Sequence, residues 1–248
     1  MNYNRAIELY FLRNYRAAYN EISNLERNED WYCLYAMIAR EVFNVPAVLS
    51  ELDSNETPLN MKLIDILSDK ITPEMELKND IARLFLADKF YEKGDYQSSL
   101  QVLYSADNVE PMIGITYLRA INYLALNRLD LATTYHNALI QQQYDSSLTL
   151  LVNIFTSLVQ GNEKDALNTV KEIAQHQSTE FVKELEATCL LANGRLLEAW
   201  DILRPMVSPT AKKAIIYNAL SCLEILALRD DSYENEYQKF KKFIEEAQ

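Results

Sequence analysis

The sequence predicts an all-α fold, an α-solenoid in which about fifteen helices stack in pairs into a right-handed superhelix. The 248 residues include four glycines and six prolines, too few for the many tight turns of a β-rich protein. Leucine, alanine, glutamate and lysine, which favour helix, are plentiful. A small residue also recurs at intervals of 33 or 34 residues over much of the chain. A period of this length is typical of stacked helix pairs.

Each repeat has a turn between two helical patterns, as in "EKGDYQSSL" (92–100), "VQGNEKDAL" (159–167) and "ANGRLLEAW" (192–200). The second helix of each pair carries a small residue at Ala18, Ser99, Ala132, Ala166 and Ala199. Twelve residues earlier, the first helix carries Ala6, Ala87, Ala120, Ile154 and Ala187. A weaker sixth pair is Ala36 with Val48. Because antiparallel helices cross closely only where their side chains are small, these positions predict tetratricopeptide-like repeats.

The repeats extend along the chain, so a single solenoid domain is predicted for residues 1–248. An irregular insertion interrupts them at about residues 53–72, and apolar residues on one helical face predict a capping helix at about residues 231–246. A capping box from Asp231 to Glu234 would begin that helix. Threonine or serine followed by proline at 57–58, 72–73 and 208–209 predicts further helix starts.

Two residues predict where helices end. Gly194 follows the apolar pattern of a first helix and precedes that of the second. Glycine adopts the left-handed conformation at little cost, so Gly194 is predicted to end the first helix. Pro205 lies inside the next helical pattern, and it cannot donate a backbone hydrogen bond. That helix is therefore predicted to stop near Arg204.

Composition and charge exclude several classes of protein. A net charge of −12 opposes binding to nucleic acid or to anionic lipid. The N-terminal stretch "MNYNRAIELYFLRNYRAAY" carries charges throughout, unlike a signal peptide, and no apolar run reaches membrane-spanning length. Three widely spaced cysteines form neither a disulfide framework nor a zinc motif. These observations predict a cytoplasmic protein with reduced thiols.

The sequence offers no catalytic residue, no cofactor-binding residue and no metal ligand. His136 and His176 are forty residues apart, and neither has a second ligand at metal-binding spacing. Cys33, Cys189 and Cys222 lie in apolar helical patterns, where a cysteine is usually a small buried hydrophobe. Nucleotide-binding and hydrolase motifs do not occur. The chain is therefore predicted to be non-catalytic, with an all-helical enzyme or a small-molecule regulator as the alternative.

A partner-binding groove is predicted on the inner wall of the superhelix, which the first helices of the pairs would build. Helical register from the small residues selects Leu84, Tyr91, Tyr117, Ile121, Leu151, Phe155 and Tyr217. These side chains favour a hydrophobic or extended segment over an anionic peptide. A tightly wound solenoid would instead bury the same residues as core. If they line the groove, Tyr117→Glu is expected to weaken partner binding without a loss of helix content.

Three segments resemble the epsilon subunit family of coatomer, the COPI vesicle coat. They are "LNRLDLA" (126–132), "SLTLLVNIFTSLVQGNEKDAL" (147–167) and "LANGRLLEAWDIL" (191–203), which follow one another in the family's order and spacing. The opening unit "FLRNYRAAYNEI" is similar to the family's N-terminal repeat. The resemblance implies a non-enzymatic coat subunit that wraps the C-terminal domain of the coatomer alpha subunit in Golgi-to-ER and intra-Golgi transport.

The resemblance also implies where such a chain works. It would be cytoplasmic and peripheral on Golgi membranes and COPI vesicles, with membrane contact only through other coat subunits. Neither a homo-oligomer nor a cofactor would be required. The alternative interpretation of the repeats is a generic tetratricopeptide adaptor in another cytoplasmic complex.

Overall fold

The computed structural model describes residues 3–54, 57–105, 111–208 and 213–247. Within these ranges all regular secondary structure is helical, with fifteen α-helices and two short 3-10 turns, which confirms the all-α prediction. The helices are α1 (Asn4–Phe11), α2 (Tyr15–Ser23), α3 (Glu29–Val42), α4 (Val45–Asp53), α5 (Pro58–Leu67), α6 (Asp80–Glu92), α7 (Tyr96–Tyr104), α8 (Ile113–Ala125), α9 (Leu129–Gln142), α10 (Ser147–Val159), α11 (Glu163–His176), α12 (Glu180–Ala192), α13 (Leu196–Leu203), α14 (Lys213–Arg229) and α15 (Glu234–Ala247).

The chain divides into two compact units, an N-terminal unit of Met1–Val152 and a C-terminal unit of Asn153–Gln248. Helices α1 to α9 belong to the N-terminal unit and α11 to α15 to the C-terminal unit, while α10 runs across the boundary. A single solenoid domain over residues 1–248 stays a prediction. Each unit is described separately below.

The predicted small residues lie in the core. The five residues assigned to second helices and the five assigned to first helices are all buried, as are Ala36 and Val48 of the sixth pair. The helices that they connect are paired in sequence order, for example α6 with α7, α8 with α9 and α12 with α13. Each helix pair therefore has small residues where its two helices cross closely. Because one pair follows another along the chain, these residues recur every 33 or 34 positions.

The predicted insertion contains an extra helix, α5, that completes a short pair with α4. Its start is confirmed, because the Thr57 hydroxyl accepts the backbone N–H of Asn60 at 3.1 Å and Pro58 is the first helical residue. The helix start predicted at Thr72 is wrong. Residues 72–75 form a turn instead, in which the Met75 N–H donates to the Thr72 carbonyl at 3.2 Å. The fixed φ of Pro73 suits the second position of such a turn as well as the start of a helix.

The C-terminal boundaries differ slightly from the prediction. Helix α13 ends at Leu203 and a 3-10 turn covers Arg204–Met206, which confirms the effect expected of the proline. The capping box predicted from Asp231 to Glu234 is replaced by a turn, in which the Asp230 side chain accepts the backbone N–H of Ser232 at 2.9 Å. Helix α15 follows this turn. The helix start predicted at 208–209 involves Pro209, which lies outside the described residues.

The joints between first and second helices share one backbone geometry. The second residue after the first helix is left-handed in five of the pairs, with φ of 56° at Arg13, 77° at Gly94, 56° at Asn127, 74° at Gly161 and 71° at Gly194. At the last of these joints the Gly194 N–H donates to Leu191 and the next N–H donates to Leu190, both at 2.9 Å. This double hydrogen bond ends the helix as a Schellman motif, and it confirms the predicted role of the glycine.

Substitutions at the joints should change stability mainly through the backbone conformation. A Cβ added at Gly194 would meet nothing within 4 Å, so Gly194→Ala should lower the free energy of unfolding by about 1 kcal/mol through the left-handed φ. Arg13→Gly should instead raise the free energy of unfolding by up to about 0.5 kcal/mol. Urea unfolding followed by circular dichroism would measure both changes. Equal stability of the Gly194→Ala variant and the parent would contradict this account.

Candidate partner-binding surface

The seven residues predicted to line a groove are not all exposed. Leu84, Tyr117, Ile121 and Leu151 are buried in the N-terminal unit, so the structure corrects the prediction of an open inner wall at these four positions. The alternative, burial as core in tightly wound repeats, applies to them. Tyr91 and Phe155 are half-buried, and Tyr217 of α14 is 54% exposed.

The burial has a clear cause, because the first helices of the N-terminal unit close on one another. Helix α3 contacts α6, α6 contacts α8, and α1 contacts both α3 and α8. The Phe11 and Tyr117 rings lie 4.7 Å apart. A Cβ added at Gly114 of α8 would lie 2.8 Å from Leu84 Cδ2 and 2.9 Å from Ile7 Cγ2. The side chains of the four helices thus fill the space that an open groove would occupy.

A partly buried ionic network joins α1, α3 and α6 in the same region. Arg40 Nη2 donates to Tyr10 Oη at 2.6 Å and to Glu92 Oε1 at 2.8 Å, and Tyr10 Oη donates to Asp88 Oδ2 at 2.7 Å. Glu41 Oε1 lies 3.0 Å from Arg40 Nε. The carboxylates of Asp88, Glu92 and Glu41 therefore share the Arg40 guanidinium. Burial, with the charge of Glu92, raises the pKa of Asp88 to about 6.

A second polar cluster connects α7, α8 and α9. The Tyr104 hydroxyl lies 2.8 Å from that of Tyr123 and 2.5 Å from that of Tyr135. The buried Arg119 guanidinium lies 4.6 Å from the centroid of the Tyr104 ring, and it donates to the Leu103 carbonyl. Cation–π contacts of this kind fasten neighbouring helices. Sequence reasoning missed the cluster, because its members share no simple spacing along the chain.

The exposed apolar side chains of the C-terminal unit include three on α14. Tyr217 is 54% exposed, Ile225 is 38% exposed and Leu228 is 83% exposed. Sequence reasoning identified Tyr217 from the repeat register but missed the other two. The three are eight and three residues apart, and such spacing does not by itself tell which face of a helix is covered by its neighbours.

The side chains that most often carry chemistry are poorly suited to it here. All three cysteines are free and buried. Burial raises the pKa of the Cys33 thiol far above its usual value, that of Cys189 to about 12 and that of Cys222 to about 11, so the reactive thiolate is scarce at neutral pH. Burial lowers the pKa of His136. In the described ranges, no cluster of histidine, cysteine and acidic residues has a metal-binding arrangement.

None of the helices in the described part of the chain combines the length and the apolar character needed to cross a membrane.

Comparison with known proteins adds two findings. A family model described as "Coatomer epsilon subunit" matches residues 6–246. A crystal structure of a tetratricopeptide repeat protein from Parabacteroides merdae is similar, with a TM-score of 0.51 and 14% sequence identity. That similarity covers 95% of this chain and 90% of the other chain. At this identity it speaks to the fold alone, and it confirms an α-solenoid of tetratricopeptide-like helix pairs.

Proposed function

This chain belongs to the coatomer epsilon subunit family, whose members are subunits of the COPI coat, and we propose that it binds the C-terminal domain of the coatomer alpha subunit. By binding, it stabilises that domain in Golgi-to-ER and intra-Golgi transport. The family match over residues 6–246 is the observation that carries the proposal. The chain acts as a structural scaffold without catalysis, which agrees with buried thiols whose pKa values are raised.

The proposal places the chain in the cytoplasm, peripheral on Golgi membranes and COPI vesicles. Contact with the membrane is indirect, through other coat subunits. A net charge of −12 supports this arrangement, because it opposes direct attraction to anionic lipid.

Hydrophobic contact is the proposed mode of binding, and the partner surface differs from the inner wall expected from register alone. The proposed contacts leave out Leu84, Tyr117, Ile121 and Leu151, because these side chains are buried. Of the remaining three positions, Tyr217 is the most exposed. Exposed aromatic side chains contribute strongly to protein interfaces, because their large apolar area is removed from water there.

Affinity purification of the tagged chain from its native host tests the proposal. We expect the other coatomer subunits to be recovered, and expect the recovery to fail from cells whose alpha subunit lacks the C-terminal domain. The truncated alpha subunit is the matched control, because it leaves this chain unchanged. Consistent recovery of a different complex would contradict the proposal and would indicate a generic tetratricopeptide adaptor.

Direct binding gives a second, quantitative test. With the chain at about 100 times the Kd, the isolated alpha C-terminal domain should gain about 2.7 kcal/mol of unfolding free energy. Differential scanning calorimetry of the alpha domain, alone and in the mixture, would measure the gain. An unchanged melting temperature of the alpha domain would contradict a stabilising role.

A further inference from the structure

A pocket of about 680 Å³ lies in the N-terminal unit, where α8 begins and α9 ends. This volume is typical of pockets that hold a ligand. The wall includes four side-chain amides, those of Asn4, Gln141, Gln142 and Gln143. Among the described residues, none that lines the pocket is acidic, although the whole chain has a net charge of −12. The pocket is therefore a polar site in which an anionic group meets no like charge on the wall.

The N-terminus of α8 lies at this pocket, since Met112 and Ile113 are part of the wall. Met112 is the N-cap residue, and its side chain makes no capping hydrogen bond. The first backbone N–H groups of α8 thus receive no acceptor from the cap. These N–H groups and the helix dipole favour a negative charge. By itself, this end of a helix does not specify a ligand.

Thr116 gives a second, independent observation. It lines the pocket and is 1% exposed, and its Oγ1 forms no hydrogen bond with the residues that the structure describes. Other helical threonines, such as Thr133, Thr134 and Thr169, donate to the carbonyl four residues earlier. A buried hydroxyl without a partner destabilises the fold. Valine would therefore suit this position better, unless the hydroxyl binds a group from outside the chain.

Arg119, one helical turn after Thr116, adds a buried positive charge. It is 8% exposed, and its guanidinium lies 5.9 Å from the ring centroid of Tyr135, which also lines the pocket. In the described part of the chain, its Nε has no hydrogen-bond partner and no carboxylate lies within ion-pair distance. Arg40, by contrast, has three carboxylates. Because buried charges are usually paired, one negative charge is missing beside Arg119.

We propose that the pocket binds a carboxylate carried beside peptide groups, either the C-terminus of a partner chain or an acidic side chain within it. The α8 N–H groups and the Thr116 hydroxyl donate to the carboxylate, and Arg119 balances its charge. One guanidinium matches a singly charged carboxylate better than a doubly charged phosphate. The four amides each offer a donor and an acceptor to the peptide groups. This site goes beyond the proposed function and does not depend on it.

NMR titration of the full chain, followed through its backbone N–H signals, tests the site with three N-acetylated tetrapeptides. They are tetra-alanine with a free C-terminus, tetra-alanine amide, and the amide of Ala-Glu-Ala-Ala. We expect the Ile113 and Gly114 signals to shift, with a Kd at least about 10-fold lower for one or both charged peptides than for tetra-alanine amide. The charged peptide that binds more tightly identifies the source of the carboxylate. Equal binding of all three peptides, or binding of none, would overturn the proposal.

Two threonine variants separate binding from stability. Thr116→Val should raise the Kd of the tighter peptide about 10-fold, while the melting temperature stays equal or rises. Thr169→Val is the matched control in the C-terminal unit, where the Thr169 hydroxyl donates to Asp165 at 2.9 Å and accepts from Asn153 at 3.0 Å. It should lower the melting temperature and leave the Kd unchanged. Parent affinity of Thr116→Val would show that the hydroxyl is not part of a binding site.

Charge variants test the role of Arg119 and the source of the anion. Arg119→Gln should reduce the preference for charged over neutral peptide at least about 3-fold, because the balancing charge is gone. Asp107 and Glu110 lie in the segment 106–110, outside the described residues. The double variant Asp107→Asn with Glu110→Gln should bind the peptide as the parent does. If its Kd fell about 10-fold, a carboxylate of this chain would be the occupant, and the proposal of a partner's carboxylate would fail.

Discussion

Replacing Tyr117 by glutamate is expected to lower the free energy of unfolding of the N-terminal unit by about 4 kcal/mol or more. Tyr117 is 4% exposed, and its ring lies 4.7 Å from that of Phe11. Burial raises the pKa of its hydroxyl well above the ordinary value, which shows how poorly this site solvates an anion. A carboxylate there must remain buried and charged, or bind a proton, and both options cost free energy.

Tyr217→Glu is the matched control, since it makes the same change at a tyrosine that is 54% exposed. It should change stability by less than about 0.5 kcal/mol. Guanidinium unfolding followed by circular dichroism would compare the two variants with the parent. If Tyr117→Glu kept the parent stability and helix content, the closed arrangement of α1, α3, α6 and α8 would be contradicted. Unchanged stability and helix content of Tyr117→Glu is what helical register alone predicts, because register places Tyr117 on an open groove.

Replacing Arg40 by methionine is expected to destabilise the N-terminal unit by about 3–5 kcal/mol at pH 7. The substitution keeps most of the side-chain volume but removes the one cation that Asp88, Glu92 and Tyr10 share. The buried Asp88 carboxylate is then left beside Glu92 without the guanidinium that offsets its charge. Urea unfolding at fixed pH measures the loss.

The double variant Arg40→Met with Asp88→Asn provides the control for this mechanism. Removing the most buried carboxylate should recover part of the lost stability, because less charge is left unpaired. If the second substitution recovered nothing, the destabilisation would come from packing instead of charge.

The pH dependence of stability should report the same network. The pKa of Asp88 is raised from 3.8 to about 6 in the folded chain, so the folded state binds more protons than the unfolded state between these values. Its contribution to stability is fully present below about pH 4 and is lost as the pH rises through about 6. Between pH 5 and pH 7 this group should lower the free energy of unfolding by about 1 kcal/mol.

Asp88→Asn removes that group, so its stability relative to the parent should improve by about 1 kcal/mol on going from pH 5 to pH 7. Urea unfolding of both proteins at the two pH values gives the comparison, in which the carboxyl groups that do not interact with Asp88 cancel. A constant difference between the two proteins would contradict the raised pKa.

The sequence was most informative where a local rule decides the structure. The small residues Ala132, Ala166 and Ala199 were predictable as packing contacts, because each repeat must bring two helices together at the same point. The end of the helix at Gly194 and the stop before Pro205 follow from backbone chemistry in the same way. These features depend on residues within a few positions of one another.

The candidate site was less predictable, because it depends on contacts between distant helices. Register places Tyr117 on a particular side of α8, but it does not tell that α1 covers that side. The partners of Arg40 include residues that are 30, 48 and 52 positions away, so no local sequence motif identifies them. Leu228 of α14 was not recognised, because its exposure depends on which neighbours are missing from that side of the helix.

The hydrogen bond that Ser146 Oγ donates to the buried Glu8 Oε1, at 3.0 Å, joins residues 138 positions apart. In most solenoids each repeat contacts only its neighbours, and folding can spread from one repeat to the next. Here α1 cannot complete its contacts until α8 and the residues before α10 have left the ribosome. Such non-local contacts slow folding, because a long loop must close before they form. The part of α1 that packs against α8 therefore stays uncovered until α8 has been synthesised, and exposed apolar surface of this kind favours aggregation.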